Sequence, residues 1–210
     1  KDAFASNKKT IQTGSTLEQD TAEEIAAAMK DWALAKGAKF FSHIFYPMTN
    51  ATAEKHDAFI VTDFDGGAIS KFDGALLIKG EPDGSSFPNG GIRETNAARG
   101  YTAWDPGSPA YVMHTENGAT LMIPCVFASW TGEALDKKIP LLRSNAAMNS
   151  AAQKVLNLMG EGEIAPLNSS CGAEQEYFLV DEKFANARPD LLLAGRTLFG
   201  AAPAKGQEFD

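Results

Sequence analysis

The sequence predicts an α+β fold, and three observations point to it. A chain of 210 residues with 44% hydrophobic residues can bury a substantial core. Apolar residues recur at spacings of three and four near residues 22–36 and 148–159, which specifies two amphipathic helices. Between them lie short aromatic and branched runs separated by Gly, Asn and Asp, the pattern of strands and turns.

Residues 1–20 are polar and turn-rich and read as an arm or loop. Thr21-Ala22-Glu23-Glu24 reads as a capping box, and Ala22, Ile25, Met29, Trp32 and the stem of Lys36 form the core-facing stripe of a helix that Gly37 stops. The run 39–46 suits a strand that ends at Pro47; His43 within it reads as a packed or hydrogen-bonded histidine, because no second ligand stands at metal spacing. Further short strands are expected at 58–62 and 75–78. The segment Asp63-Phe64-Asp65-Gly66-Gly67 between them reads as a plain turn, since its Asp spacing fails the calcium-loop pattern.

Residues 80–91 form a loop by every breaker rule, and no Gly-Lys-Ser/Thr follows to make it a phosphate loop. Strands at 111–114 and 120–127 bracket Glu116-Asn117-Gly118, which is hairpin chemistry. The charged stretch 131–140, ending in Pro140, reads as a domain boundary. Residues 1–130 thus make a small N-terminal α+β module and 131–210 the incomplete beginning of a second domain. There, Met148, Ala152, Val155 and Met159 mark a helix closed by Gly160 that should cover a sheet.

Asp and Glu number 27 against 19 Lys and Arg, a net charge of -8, which argues against a nucleic-acid or anionic-membrane partner. The two cysteines, Cys125 and Cys171, show no zinc or disulfide spacing and fit a reducing cytoplasm. No apolar run approaches the length of a membrane span, and the polar start lacks an export signal.

The stretch 174–180 holds the most telling pattern. Tyr177-Phe178-Leu179-Val180 reads as a buried strand, so Glu174 and Glu176 would leave on one face about 7 Å apart. Two like charges at the head of a half-buried face call for a cation, and a divalent metal would supply it. The spacing alone favours two solvated carboxylates at a strand start, since Glu is rarely fully buried.

Gly172-Ala173-Glu174-Gln175-Glu176-Tyr177-Phe178-Leu179 resembles the Gly-x-Glu-x-Glu-aromatic-Phe-Leu strand of glutamine synthetases, with Ala173 and Gln175 where proline is usual in other classes. Upstream, Asp83-Gly84-Ser85-Ser86 resembles the Asp-Gly-Ser-Ser loop of the same enzymes. Phrases such as Arg99-Gly100-Tyr101-Thr102-Ala103-Trp104-Asp105-Pro106 and Gly195-Arg196-Thr197-Leu198-Phe199-Gly200 resemble the type III branch, and the likeness covers essentially the whole chain.

The resemblance implies a β-grasp-like N-terminal sheet followed by the truncated start of the catalytic α/β sheet domain. It implies an ATP-dependent glutamate-ammonia ligase that acts through a γ-glutamyl phosphate with two divalent ions, Mg2+ or Mn2+. Glu174 would help hold the ion on the nucleotide phosphates and Glu176 the ion toward the glutamate γ-carboxylate. Asp83, on a loop of the neighbouring subunit, would take a proton from ammonium with the help of local dehydration, and Ser86 would lie close to the ammonium pocket. The expected assembly is a homo-oligomer of two stacked hexameric rings, a dodecamer. No later block of Glu, His and Arg ligands follows these motifs in the 210 residues, so the chain reads as an N-terminal portion that is inactive alone. Arg188, Arg196 and Lys205 acquire no role. A non-catalytic module of the same ancestry, used for oligomer assembly or for sensing nitrogen metabolites, is the alternative; a γ-glutamyl-amine ligase is a third reading, against which Asp83 and Ser86 argue.

Overall fold

The structure is a computed structural model that describes residues 2–48, 52–63, 65–87, 100–162, 164–172, 174, 177, 179–194 and 197. In chain order its elements are α1 (Asp2–Thr13), α2 (Gln19–Ala35), β1 (Ala38–Phe45), β2 (Ala53–Ala58), β3 (Ile60–Thr62), β4 (Ala68–Ser70), α3 (Gly74–Ile78), β5 (Lys79–Gly80), a 3-10 turn (Gly84–Ser86), β6 (Tyr101–Trp104), β7 (Tyr111–Thr115), β8 (Gly118–Ala128), α4 (Lys138–Leu158), α5 (Glu182–Asn186) and α6 (Pro189–Ala194). They fall into two compact units, Lys1–Ser169 and Ser170–Asp210.

The first unit is built on one mixed sheet in the order β2-β1-β8-β6-β5. β1 and β8 run parallel at its centre, and β2 pairs antiparallel with β1. On its other side the long β8 pairs antiparallel with β7 through residues 118–122 and with β6 through residues 125–128. β6 and β7 therefore share one flank of β8, and the turn that follows Asp105 separates them. Central position explains why residues 41–45 of β1 are all buried, where a one-sided strand would alternate.

Six phenylalanines fill the core. Phe41 lies 4.8 Å from Phe72 and 5.3 Å from Phe59 between ring centroids, and Phe45 lies 4.9 Å from Phe127 and 5.7 Å from Phe87. Such tilted and edge-on pairs add to the free energy of apolar burial.

The face of α2 turned to the core keeps Ala22, Ile25 and Met29 of the expected stripe and departs from it at other positions. Ala22, Ala26 and Ala33 are fully buried, whereas Trp32 stays 42% exposed. Small side chains permit close approach, and α3 exploits it: a Cβ on Gly74 would lie 2.9 Å from backbone atoms of Ala22 and Glu23. The Glu23 carboxylate accepts the Gly74 N–H at 2.8 Å, and Asp73 caps α3 by accepting the Leu76 N–H at 2.9 Å. This cap makes 75–78 a helical turn rather than the expected strand.

Two further expectations are corrected in this unit. Residues 2–13 form α1 rather than a loop; the half-buried stripe is Ala3, Ser6, Asn7 and Thr10, small and polar enough to hide its helical period, and Ser6 meets Thr21 at 3.4 Å. Thr21 therefore sits inside α2, which begins at Gln19, instead of capping it. At the other end, α4 begins at Lys138 and runs through Pro140, since a proline in the first turn removes no hydrogen bond the helix would make. It is half-buried along Asn145, Met148, Asn149, Ala152, Gln153 and Leu156, while Val155 and Met159 of the expected stripe are exposed.

The hairpin at Asn117-Gly118 forms as expected, with Thr115 opposite Gly118 and Gly118 at φ +137°. Asp63 accepts the Gly67 N–H at 2.6 Å in the turn between β3 and β4, of which Phe64 lies outside the described residues. No helix among the described residues is long and apolar enough to cross a membrane.

In the second unit, Asp181 caps α5 through the Lys183 N–H at 3.0 Å, and Arg188 donates two hydrogen bonds to the buried Asp190 at 2.9 and 2.6 Å. Its described residues contain no strand. Of the strand expected at 177–180, Tyr177, Leu179 and Val180 carry no regular structure and are 76%, 98% and 62% exposed, and Phe178 lies outside the described residues. A strand needs neighbours to satisfy its backbone, and the described residues of this unit supply none.

Candidate functional site

The Asp-Gly-Ser-Ser segment forms a tight, well-defined turn. Asp83 stands at the head of the 3-10 turn with an extended backbone, and its carbonyl accepts the Ser86 N–H at 3.1 Å. Its carboxylate oxygen Oδ1 accepts both the Ser85 N–H at 2.9 Å and the Ser85 hydroxyl at 2.5 Å. These two bonds, with a contribution from Lys55 on β2, hold the Asp83 carboxyl below the usual carboxylate range although the side chain is fully exposed. Asp83 is therefore ionised at neutral pH and open to solvent within this chain. The described residues of this chain do not supply the dehydration expected around it.

Ser86 points the other way. It is 5% exposed, and its hydroxyl has no hydrogen-bond partner among the described residues. Asp83 and Ser86 lie in one turn, which separates them into a solvent-facing carboxylate and a buried hydroxyl.

The turn is anchored by the segment before it. β5 pairs with β6 through Lys79 and Gly80, and a Cβ on Gly80 would lie 2.5 Å from Thr102 Oγ1 and 2.7 Å from His43 Nδ1. His43 is 3% exposed and packs edge-on to Phe41 at 5.9 Å, in keeping with a packed histidine. Burial lowers its pKa, against the pull of the Leu76 and Leu77 backbone, so the ring is neutral at neutral pH.

A second polar cluster, unflagged by the sequence, ties the β6–β7 turn to α4. Asp105 accepts from Gly107 N–H at 2.9 Å, Ser108 Oγ at 2.7 Å and Lys138 Nζ at 2.8 Å. Burial alone would raise the Asp105 pKa, but the Lys138 and Ser108 bonds outweigh it and hold the carboxyl below its ordinary value. A depressed folded-state pKa gives stability that is present above the unfolded value, about 3.9, and is lost as pH falls through the folded value. Thermal unfolding of the chain is therefore expected to shift to lower temperature between about pH 5 and pH 2, and Asp105→Asn should flatten that dependence. An unchanged slope in the variant would remove Asp105 from the account.

Glu174 is exposed and has no regular structure, and Glu176 lies outside the described residues. Asp83 and Ser86 belong to the first unit and Glu174 to the second. Among the described residues no group of three or more His, Cys, Asp or Glu side chains could hold a metal. A magnesium or manganese ion takes about six ligands, so two glutamates do not by themselves make a metal site. Sequence reasoning assigned no role to Ser85 or Lys55. An Asp followed two residues later by Ser is a turn signal that could have pointed to Ser85; Lys55 reaches the turn only through sheet pairing and leaves no local trace.

Residues 1–144 match the family model described as glutamine synthetase type III N terminal. The chain belongs to that family. The type III likeness extends through the rest of the sequence: a type-3 glutamine synthetase of Dictyostelium discoideum is 48% identical over 204 residues, covering 97% of this chain and 28% of that protein. A glutamine synthetase of Bacteroides fragilis is 49% identical over 210 residues, covering 100% of this chain and 28% of the relative. The chain thus spans little more than a quarter of the length of these glutamine synthetases. A chain of the cryo-EM structure of Plasmodium falciparum glutamine synthetase aligns with 62% of this chain and 23% of its own length, at a TM-score of 0.43 and 14% identity, too slight a likeness to bear on function.

Proposed function

We propose that this chain is the N-terminal part of an ATP-dependent glutamate-ammonia ligase and that it contributes the Asp83 turn to the ammonium site. The observation that carries this reading is the placement, in a chain of type III glutamine synthetase ancestry, of an ionised and fully solvent-facing carboxylate on a turn fixed by Ser85. In this reading the mixed sheet with parallel β1 and β8 at its centre is a grasp-like module, residues 131–210 begin the catalytic part, and the whole assembles as a homo-oligomer, a dodecamer of two hexameric rings in the cytoplasm.

Joining glutamate to ammonia needs an activated carboxylate, and phosphoryl transfer from ATP supplies one. The ammonium ion is drawn to the Asp83 carboxylate, which accepts its proton. The ammonia so formed attacks the γ-carbonyl carbon; a C–N bond forms, the bond from that carbon to the phosphate oxygen breaks, and phosphate leaves carrying the remaining extra proton of the nitrogen as hydrogen phosphate. A carboxylate held below its usual pKa binds the cation well and is a weak base. Proton acceptance therefore requires the dehydrated surroundings that a neighbouring subunit would bring over the exposed turn. The buried Ser86 would shape the floor of the ammonium pocket. Mg2+ or Mn2+ would cancel charge on the phosphates, in a site to which Glu174 and Glu176 contribute and which residues elsewhere in the assembled enzyme complete.

The test is a γ-glutamyl hydroxamate and glutamine-formation assay with ATP and Mg2+ or Mn2+, run on the full-length polypeptide and on residues 1–210 alone. Activity only in the full-length protein is expected. No product from the full-length protein would contradict the ligase reading and leave the non-catalytic alternative. Product from residues 1–210 alone would contradict the incomplete site.

A further inference from the structure

Ser85 is fully committed to one atom. Its backbone N–H and its hydroxyl both donate to Asp83 Oδ1, at 2.9 and 2.5 Å, although its side chain is exposed and could be solvated instead. The Ser86 N–H bonds back to the Asp83 carbonyl, so the turn is also fixed at the main chain. A carboxylate on a free side chain rotates and offers either oxygen; here Oδ1 is occupied twice and the plane of the carboxylate is set.

We propose that Ser85 is a positioning residue for the ligase reaction, which orients Asp83 so that Oδ2 is the oxygen presented to ammonium. The inference rests on the ligase reading above. Its consequence is selective. Ammonium is a cation that must be held and deprotonated, whereas hydroxylamine is a far weaker base that reaches the site neutral at the assay pH. An oriented, ionised carboxylate matters for the first and little for the second. A purely structural role for Ser85, as a filler of the turn, would change both substrates alike.

The experiment uses the full-length enzyme with Ser85→Ala, Ser85→Thr and Asp83→Asn, measuring KM and kcat for ammonium and for hydroxylamine. Ser85→Ala is expected to raise the ammonium KM roughly tenfold, the scale of a lost charge-assisted hydrogen bond, with the hydroxylamine KM within about twofold of the parent. Ser85→Thr, which keeps the hydroxyl, is expected to restore the ammonium value. Equal effects on both substrates, or no effect on either, with Asp83→Asn still defective for ammonium, would overturn the positioning role and leave the ligase reading intact. An Asp83→Asn enzyme with ordinary ammonium kinetics would overturn the reading on which the proposal stands.

Discussion

Asp83→Asn in the full-length enzyme is expected to lower ammonium-dependent turnover by roughly 10²–10⁴-fold, the range general-base groups supply, with assembly and thermal stability unchanged. The structure explains why the two effects separate. Asp83 is fully exposed and its hydrogen bonds stay within the turn, so the fold loses little when the charge goes. Asparagine keeps an acceptor for Ser85 and fills the same volume, yet it carries no charge to attract ammonium and cannot take its proton. Steady-state kinetics with ammonium as the varied substrate, beside size measurement and a melting curve, checks this. Unaltered turnover in an intact assembly would remove Asp83 from the chemistry.

Asp136→Ala has the largest effect expected on stability. Asp136 is fully buried, and its two carboxylate oxygens serve two different backbone donors: Oδ2 accepts the Phe127 N–H at 2.7 Å and Oδ1 the Ile139 N–H at 2.9 Å. One side chain thus joins the end of β8 to the first turn of α4. Burial raises its pKa in spite of these bonds, which marks a carboxylate placed for its acceptors at an electrostatic cost. Alanine leaves both N–H groups buried and unpaired, at about 1–3 kcal/mol each, so a loss of about 2–6 kcal/mol is expected in urea unfolding of the chain. Asp136→Asn should recover only part of it, because the amide offers one oxygen and turns an N–H2 toward the other donor. A loss below about 1 kcal/mol for alanine would show that water or a shift of α4 satisfies the freed groups.

The sequence was most legible where apolar pattern and turn chemistry agreed. The buried run of β1, the α2 helix and the Asn117-Gly118 hairpin all follow from residues that satisfy local and long-range demands together. Legibility failed where a different signal governed. α1 half-buries Ser6, Asn7 and Thr10 rather than leucines, so it has a helical period without a hydrophobic one. The 75–78 run is apolar enough for a strand, yet the Asp73 cap and the close approach of Gly74 to α2 make it helical. Asp136 lay in a charged stretch that composition reads as a boundary, and only the fold shows it to be a buried tie.

The candidate site divides in the same way. The Asp83 turn is encoded within four residues and appears where expected. The strand at 177–180 depends on pairing partners, and its described residues remain exposed without them. Local turn chemistry can be read from a few adjacent residues; strand pairing with distant partners cannot.

The central claim is that the Asp83 turn of one subunit completes an active site whose glutamates belong to another. Full-length Asp83→Asn and Glu176→Gln enzymes, each inactive as a homo-oligomer, should be dissociated, mixed in equal amounts and reassembled, and the mixture assayed for glutamine formation. If each site draws Asp83 from one subunit and Glu176 from its neighbour, random mixing in a symmetric ring gives about one quarter of the sites both intact groups, and about one quarter of parental activity returns. If both groups come from the same subunit, no mixture of the two variants contains an intact site, and an inactive mixed assembly would contradict the claim.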